Sequence, residues 1–106
     1  MKNIILLIDT SKSDKLITGL EIGGDKRVLE ENFDFRKSQG ILPLIEKFLK
    51  TENLSFSDLS GIEVNIGPGS FTGLRVGVSI ANSMGTILQI PINGKPVGLL
   101  AEPIYI

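Results

Sequence analysis

Hydrophobic positions follow three different rhythms along the chain. Residues 3–8 form an almost unbroken apolar run, too short for a helix and closed by Asp9, Thr10 and Ser11, which predicts a strand buried on both faces. Residues 16–22 and 27–33 are two further extended stretches, and Gly23, Gly24, Asp25 and Lys26 between them carry hairpin-turn chemistry. The three stretches predict an antiparallel meander. From Ser38 the period changes to three and four: Ile41, Leu42, Ile45, Phe48 and Leu49 recur on one face. This predicts a helix over residues 38–50, with Ser38 as N-cap and Pro43 near the start, where a missing N–H costs least. Residues 55–58 read as a capping sequence for one short turn, and residues 62–66, bounded by Gly61 and Gly67, as a second buried strand. A long helix is expected from Ser70 to about Gln89, ahead of Pro91. The remainder, with Asn93-Gly94, Pro96 and Pro103, predicts loop and short edge strands. The order predicts an α/β fold: a mixed five-stranded sheet, the meander at one edge, and two main helices packed on it.

The long helix carries the most unusual pattern. Its only charge is Arg75, whereas a surface helix ordinarily shows a polar stripe over about half its circumference. Leu74, Val78, Ala81 and Leu88 mark one side and Val76, Ile80, Met84 and Ile87 another, and both call for burial. Gly73, Gly77, Ala81 and Gly85 put a small residue at every fourth position, a groove along which another backbone can approach. Glycines inside a helix cost about 1 kcal/mol each relative to alanine, so close packing has to offset them. Two readings account for this: a helix sandwiched within its own domain, or an interface with another chain formed by Ile41, Leu42, Ile45, Gly73, Gly77, Val78, Ala81 and Gly85. The second is the expectation here, because so small a domain has few elements left to supply a second layer.

Composition narrows the chemistry. The chain has 106 residues, 42% hydrophobic and 22% charged, values ordinary for one globular domain with a compact core, residues from about 95 forming a short tail. Eleven Lys and Arg nearly balance twelve Asp and Glu, so no strong positive field exists to hold a polyphosphate unaided. There is no Cys and no His, which removes disulfides, thiolate metal sites, the usual general base and the commonest metal ligand. The opening apolar run, residues 4–8, is shorter than a signal peptide needs, and a cytoplasmic setting is expected. A Gly-rich turn opening a helix, as at residues 67–73, can hold a phosphate, but a Walker-type loop needs Lys after its last Gly and here Leu74 follows Gly73. The bland alternative is a capped turn. Asp9 ends the first strand, where it could order Mg²⁺ with Thr10 and Ser11 beside phosphate, or could simply cap a strand-end turn.

The segment IGPGSFTGLRVGVSIANSMGTILQIPING, residues 66–94, resembles the characteristic segment of the TsaB family, also called YeaZ, with Gly, Pro, Ser, Phe, Thr, Leu and Arg in unbroken order. LIDTS at residues 7–11, KSQGILPLIEKFL at 37–49 and LSFSDLSGI at 54–62 are similar to further blocks of that family, although Lys37 stands where its members usually have His. The resemblance runs from residue 1 to about 94. It implies one half of an actin-like ATPase, ribonuclease H-like fold. It also implies a noncatalytic scaffold that pairs with TsaD in making threonylcarbamoyladenosine on tRNA and forms a homodimer when alone. On that reading the chain reaches tRNA only through the complex and needs no cofactor or metal of its own. The family's second domain has no counterpart here, and AEPIYI at residues 101–106 is similar to the closing residues of full-length members, which implies an internal deletion. The alternatives are a nucleotide-binding domain completed by a partner chain, or a structural homodimer that works without TsaD.

Overall fold

In the computed structural model, which describes residues 3–104 apart from the side chain of Ser38, the meander forms where the apolar pattern places it. Strands β1 (Ile4–Asp9), β2 (Lys15–Ile22) and β3 (Asp25–Asn32) run antiparallel in sequence order, turning at Gly23 and Gly24, both with positive φ. Strand β4 (Gly61–Val64) then adds to β1 in parallel, so the sheet order is β3-β2-β1-β4 with the meander at one edge. Helix α1 (Ile41–Thr51) crosses from the meander to β4, and helix α2 (Phe71–Leu88) follows β4.

Alternation along the strands decides where the core sits. Leu6 and Ile8 of β1, Leu16 and Leu20 of β2 and Ile62 and Val64 of β4 point to one face, where they meet Ile41, Ile45 and Leu49 of α1 and Val78 and Ala81 of α2. Each such aliphatic side chain contributes about 1.5–3 kcal/mol by leaving water. The opposite face of β1 presents Ile5 and Leu7, which are only half-buried, so the expectation that β1 is buried on both faces is corrected: the helices cover one face. Edge strand β3 is exposed and charged, and its Arg27 pairs with Glu52 beyond α1.

Two boundaries differ from expectation for identifiable reasons. Helix α1 begins at Ile41, with Gly40 rather than Ser38 at the cap position, and residues 35–40 form a kinked 3₁₀ segment instead. Starting there puts Pro43 in the first turn, whose N–H groups lack intrahelical partners anyway; a start at residue 38 would put it where an N–H is needed. Buried Phe35, tilted against Phe33 at 5.2 Å between ring centres, anchors the preceding segment. The other difference is the strand count, four rather than five among the described residues. Beyond β4 the described residues make a single parallel bridge, Ile92 to Ile62, and then turn away. The Asn93 carboxamide takes the place of a fifth strand: it accepts from Val64 N–H at 2.8 Å and donates to the Val64 carbonyl at 3.2 Å. Residues 56–58 form the short capped turn, its capping box closed by Ser55 and Asp58. No helix among the described residues is long and apolar enough to cross a membrane.

Candidate partner surface and strand-end loop

The end of β1 and the start of α2 meet in one knot of backbone. Asp9 turns its carboxylate back on its own loop, where Oδ1 accepts from the Ser11 N–H at 2.9 Å and from the Ser11 hydroxyl at 2.7 Å. Burial pushes the Asp9 carboxyl up, but the Ser11 hydroxyl and N–H, the Asn65 amide and the Lys12 charge together hold it below the usual carboxylate range. The arrangement is a strand-end Asx turn. Thr10 is wholly buried, and its hydroxyl has no hydrogen-bond partner among the described residues.

The turn at residues 67–70, entered through a cis Gly67-Pro68 peptide, brings the helix against this loop. Ser70 N donates to the Ser11 carbonyl at 2.8 Å, and Ser70 Oγ caps α2 by accepting from Gly73 N at 3.3 Å. A Cβ added at Gly69 would lie 2.6 Å from the Ser11 carbonyl oxygen, and one at Gly73 2.1 Å from that of Thr10. Carbonyl oxygens with their partial negative charge therefore crowd the first turn of the helix. An anion placed there would meet them as well as the helix dipole, which favours the capped turn over a phosphate cradle.

The small-residue stripe of α2 faces the same way. A Cβ at Gly77 would sit 2.1 Å from Thr10 Oγ1, and one at Gly85 2.6 Å from the Ile92 side chain. Gly73, Gly77, Val78, Ala81 and Gly85, with Ile41 and Ile45 of α1, are buried in the chain's own interior. The glycines let the loop after β1 and the bridge residue Ile92 approach the helix axis, so the stripe is used within this chain. Of the eight residues expected at a partner interface, Leu42 alone is exposed, at 45%.

What α2 does show to solvent is a different stripe: Thr72, Arg75, Val76, Ser79, Ile80 and Ser83, with Phe71 and Ile87 at its ends 56% and 79% exposed. Arg75 lies over the Phe71 ring, 5.3 Å from its centre. Between this stripe and α1 runs an open groove of about 540 Å³, lined by Gln39, Leu42, Thr72, Arg75, Val76, Ser79 and Ile80. Of the second apolar side read from the sequence, Val76, Ile80, Met84 and Ile87, Ile87 is exposed and Val76 and Ile80 are half-exposed, while Met84 is buried in the core.

Comparison with known proteins follows the same elements. The family model described as "TsaD: tRNA N6-adenosine threonylcarbamoyltransferase" matches residues 35–94, which include α1, β4 and α2. The chain is 37% identical over 106 residues to the tRNA threonylcarbamoyladenosine biosynthesis protein TsaB of Buchnera aphidicola subsp. Schizaphis graminum, covering 96% of this chain and 49% of that one. The chain belongs to the TsaB (YeaZ) family. The TsaB of Bacillus subtilis is 35% identical over 115 residues, covering 95% of this chain and 49% of its own. YeaZ from Pseudomonas aeruginosa has a similar fold, with a TM-score of 0.77 at 24% identity over 89% of this chain and 44% of that one. The chain thus spans about half the length of the curated TsaB relatives it matches.

Proposed function

We propose that the chain is a noncatalytic, single-domain scaffold in the synthesis of threonylcarbamoyladenosine on tRNA. It is one half of an actin-like fold that holds a TsaD-like protein through the exposed sides of α1 and α2. The observation that carries this reading is the match of a TsaD family model to the very segment that contains both helices and the groove between them. A TsaD-like partner bears an equivalent helix pair, so the two pairs can pack about a pseudo-twofold axis, as like surfaces do in isologous dimers. Two copies of this chain meet through the same face when TsaD is absent. Ile41, Ile45, Gly73, Gly77, Val78, Ala81 and Gly85 then act from inside, fixing the position and spacing of the helices, while Leu42, Val76 and Ile80 make the contact. The chain's near-neutral charge leaves tRNA binding to the complex, and the setting is cytoplasmic. The inward-turned Asp9 carboxylate makes nucleotide binding the weaker alternative.

The test is association with the TsaD of the same organism, measured by calorimetry and light scattering. The parent is expected to bind, and Leu42→Glu to weaken binding at least about tenfold by placing an unpaired charge in the contact while leaving the circular dichroism unchanged. A parent chain that shows no association with TsaD overturns the proposal.

A further inference from the structure

The turn after the Ile92 bridge joins a carboxamide to an unhindered backbone nitrogen. Asn93 is followed by Gly94, and this is the only Asn-Gly pair in the chain. The carboxamide carbon of an asparagine is an electrophile for the backbone nitrogen of the next residue, and glycine, with no Cβ, leaves that nitrogen most open. Asn93 and Gly94 have φ of 53° and 72°, the left-handed pair of a two-residue turn, which Lys95 N–H closes on the Ile92 carbonyl at 3.1 Å. Gly94 is exposed, and no described atom beyond its chain neighbours lies within 4 Å of where its Cβ would be, so water reaches it. Strand β4 meanwhile grips Asn93. Its Oδ1 accepts from Val64 N–H at 2.8 Å, its Nδ2 donates to the Val64 carbonyl at 3.2 Å, and its own N–H donates to the Ile62 carbonyl at 2.8 Å.

We propose that Asn93 is a site of spontaneous deamidation, gated by its clamp on Val64, and that the reaction is a one-way release of the outer rim of β4. When the carboxamide swings off the strand, the Gly94 nitrogen bonds to Asn93 Cγ. The Cγ–Nδ2 bond breaks, and Nδ2 leaves as ammonia with the proton that Gly94 gave up. Water then opens the succinimide ring. Opening between Cγ and the Gly94 nitrogen yields aspartate; opening between the Asn93 main-chain carbon and that nitrogen yields isoaspartate, whose main chain is one carbon longer. Neither product restores the clamp. An ionised carboxylate only accepts, so it can take the Val64 N–H but offers nothing to the carbonyl of Val64, a buried residue. The new charge also joins Asp9 and Glu63 in a groove that Lys26 lines, with Lys95 and Glu102 in the pocket on the other side of Asn93.

The experiment ages the full chain in mildly alkaline buffer, folded and in urea, and follows it by intact mass and peptide mapping. A gain of about 1 Da, an amide exchanged for an acid, is expected in the peptide that holds Asn93 before those that hold the other asparagines. Urea frees the carboxamide, so conversion there should be at least about tenfold faster than in the folded chain. Gly94→Ala sets a methyl group beside the attacking nitrogen and should slow conversion at least about tenfold in urea, where the strain of alanine at a positive φ plays no part. The converted chain, separated by anion exchange, should melt about 4–8 °C below the parent, and Asn93→Asp should also melt below it. An Asn93 that outlasts the other asparagines, or that converts as fast folded as unfolded, overturns the inference. So does a Gly94→Ala chain that converts at the parent's rate, or a converted chain that melts with the parent. None of these readouts involves TsaD, so the scaffold reading stands or falls separately.

Discussion

Replacing Gly77 by alanine sets two well-characterised effects against each other, and the structure decides which wins. In an exposed helix this substitution stabilises by about 1 kcal/mol, because glycine has the more flexible unfolded state. Here the new Cβ falls 2.1 Å from Thr10 Oγ1, 2.9 Å from its Cγ2 and 3.0 Å from its Cβ, where ordinary contact begins at 3.4 Å. Relieving the closest of these requires a movement of over about 1 Å between α2 and the loop after β1, in an interior that resists such shifts. Overpacking on that scale costs about 3 kcal/mol, leaving a net loss of about 2 kcal/mol, or a melting temperature lower by about 8–16 °C for a chain of this size. The assay is thermal and urea unfolding followed by circular dichroism. The control is built in, since Thr10→Ala removes the two nearest offending atoms together with a buried, unpartnered hydroxyl. The double variant should recover most of the loss, giving a coupling of about 1.5–2 kcal/mol of relieving sign. At Gly73 the obstacle is the Thr10 carbonyl oxygen itself, which no side-chain change removes, so Gly73→Ala should lose more and Thr10→Ala should not rescue it. A Gly77→Ala chain as stable as the parent, or a double variant that is simply additive, refutes the packing argument.

Ala81 is wholly buried in the core, so Ala81→Glu places an unpaired charge and four extra heavy atoms there; a loss of about 4 kcal/mol or more is expected, seen as collapse of the circular dichroism signal, and a folded variant impaired only in association would contradict it. Asp9, held below the usual carboxylate range by Ser11 and Asn65, stabilises the fold at pH values above its unfolded pKa near about 3.9, and that contribution is lost as pH falls through the lower folded value. Asp9→Asn keeps an acceptor oxygen but not the charge, so its urea midpoint should fall less steeply than the parent's below about pH 4; parallel profiles would show that the carboxylate does not matter.

Much of the fold was legible from periodicity because its determinants are local. The meander follows from its apolar run, two extended stretches and the Gly23-Gly24 turn, and α2 from its Ser70 cap and the absence of proline before Gln89. The strand count was not, because one carboxamide substitutes for a strand, and nothing in the sequence distinguishes an Asn that turns from an Asn that pairs. The candidate interface shows the same limit in a sharper form. Spacing reveals that Gly73, Gly77, Ala81 and Gly85 share a side of α2 and must be approached closely, but not what approaches. The approaching groups prove to be Thr10, more than sixty residues earlier in the chain, at Gly73 and Gly77, and Ile92 at Gly85, so the stripe reads as core. Of the other apolar side, Met84 is buried, Val76 and Ile80 are half-buried against the core, and Ile87 is exposed.

The Asn93 carboxamide also decides how the sheet ends. Ile62 donates to the Pro91 carbonyl and accepts from Asn93 N–H, while both main-chain groups of Val64 are taken by the Asn93 side chain. Two residues, Pro91 and Asn93, therefore saturate the outward rim of β4 without presenting a rim of their own length, and the far rim, β3, is defended by the charges of Asp25, Lys26, Arg27, Glu30 and Glu31. A lone sheet of this kind would otherwise template the stacking of chain upon chain into fibrils. With the β4 rim saturated and the β3 rim charged, open-ended strand pairing is disfavoured at both ends of the sheet.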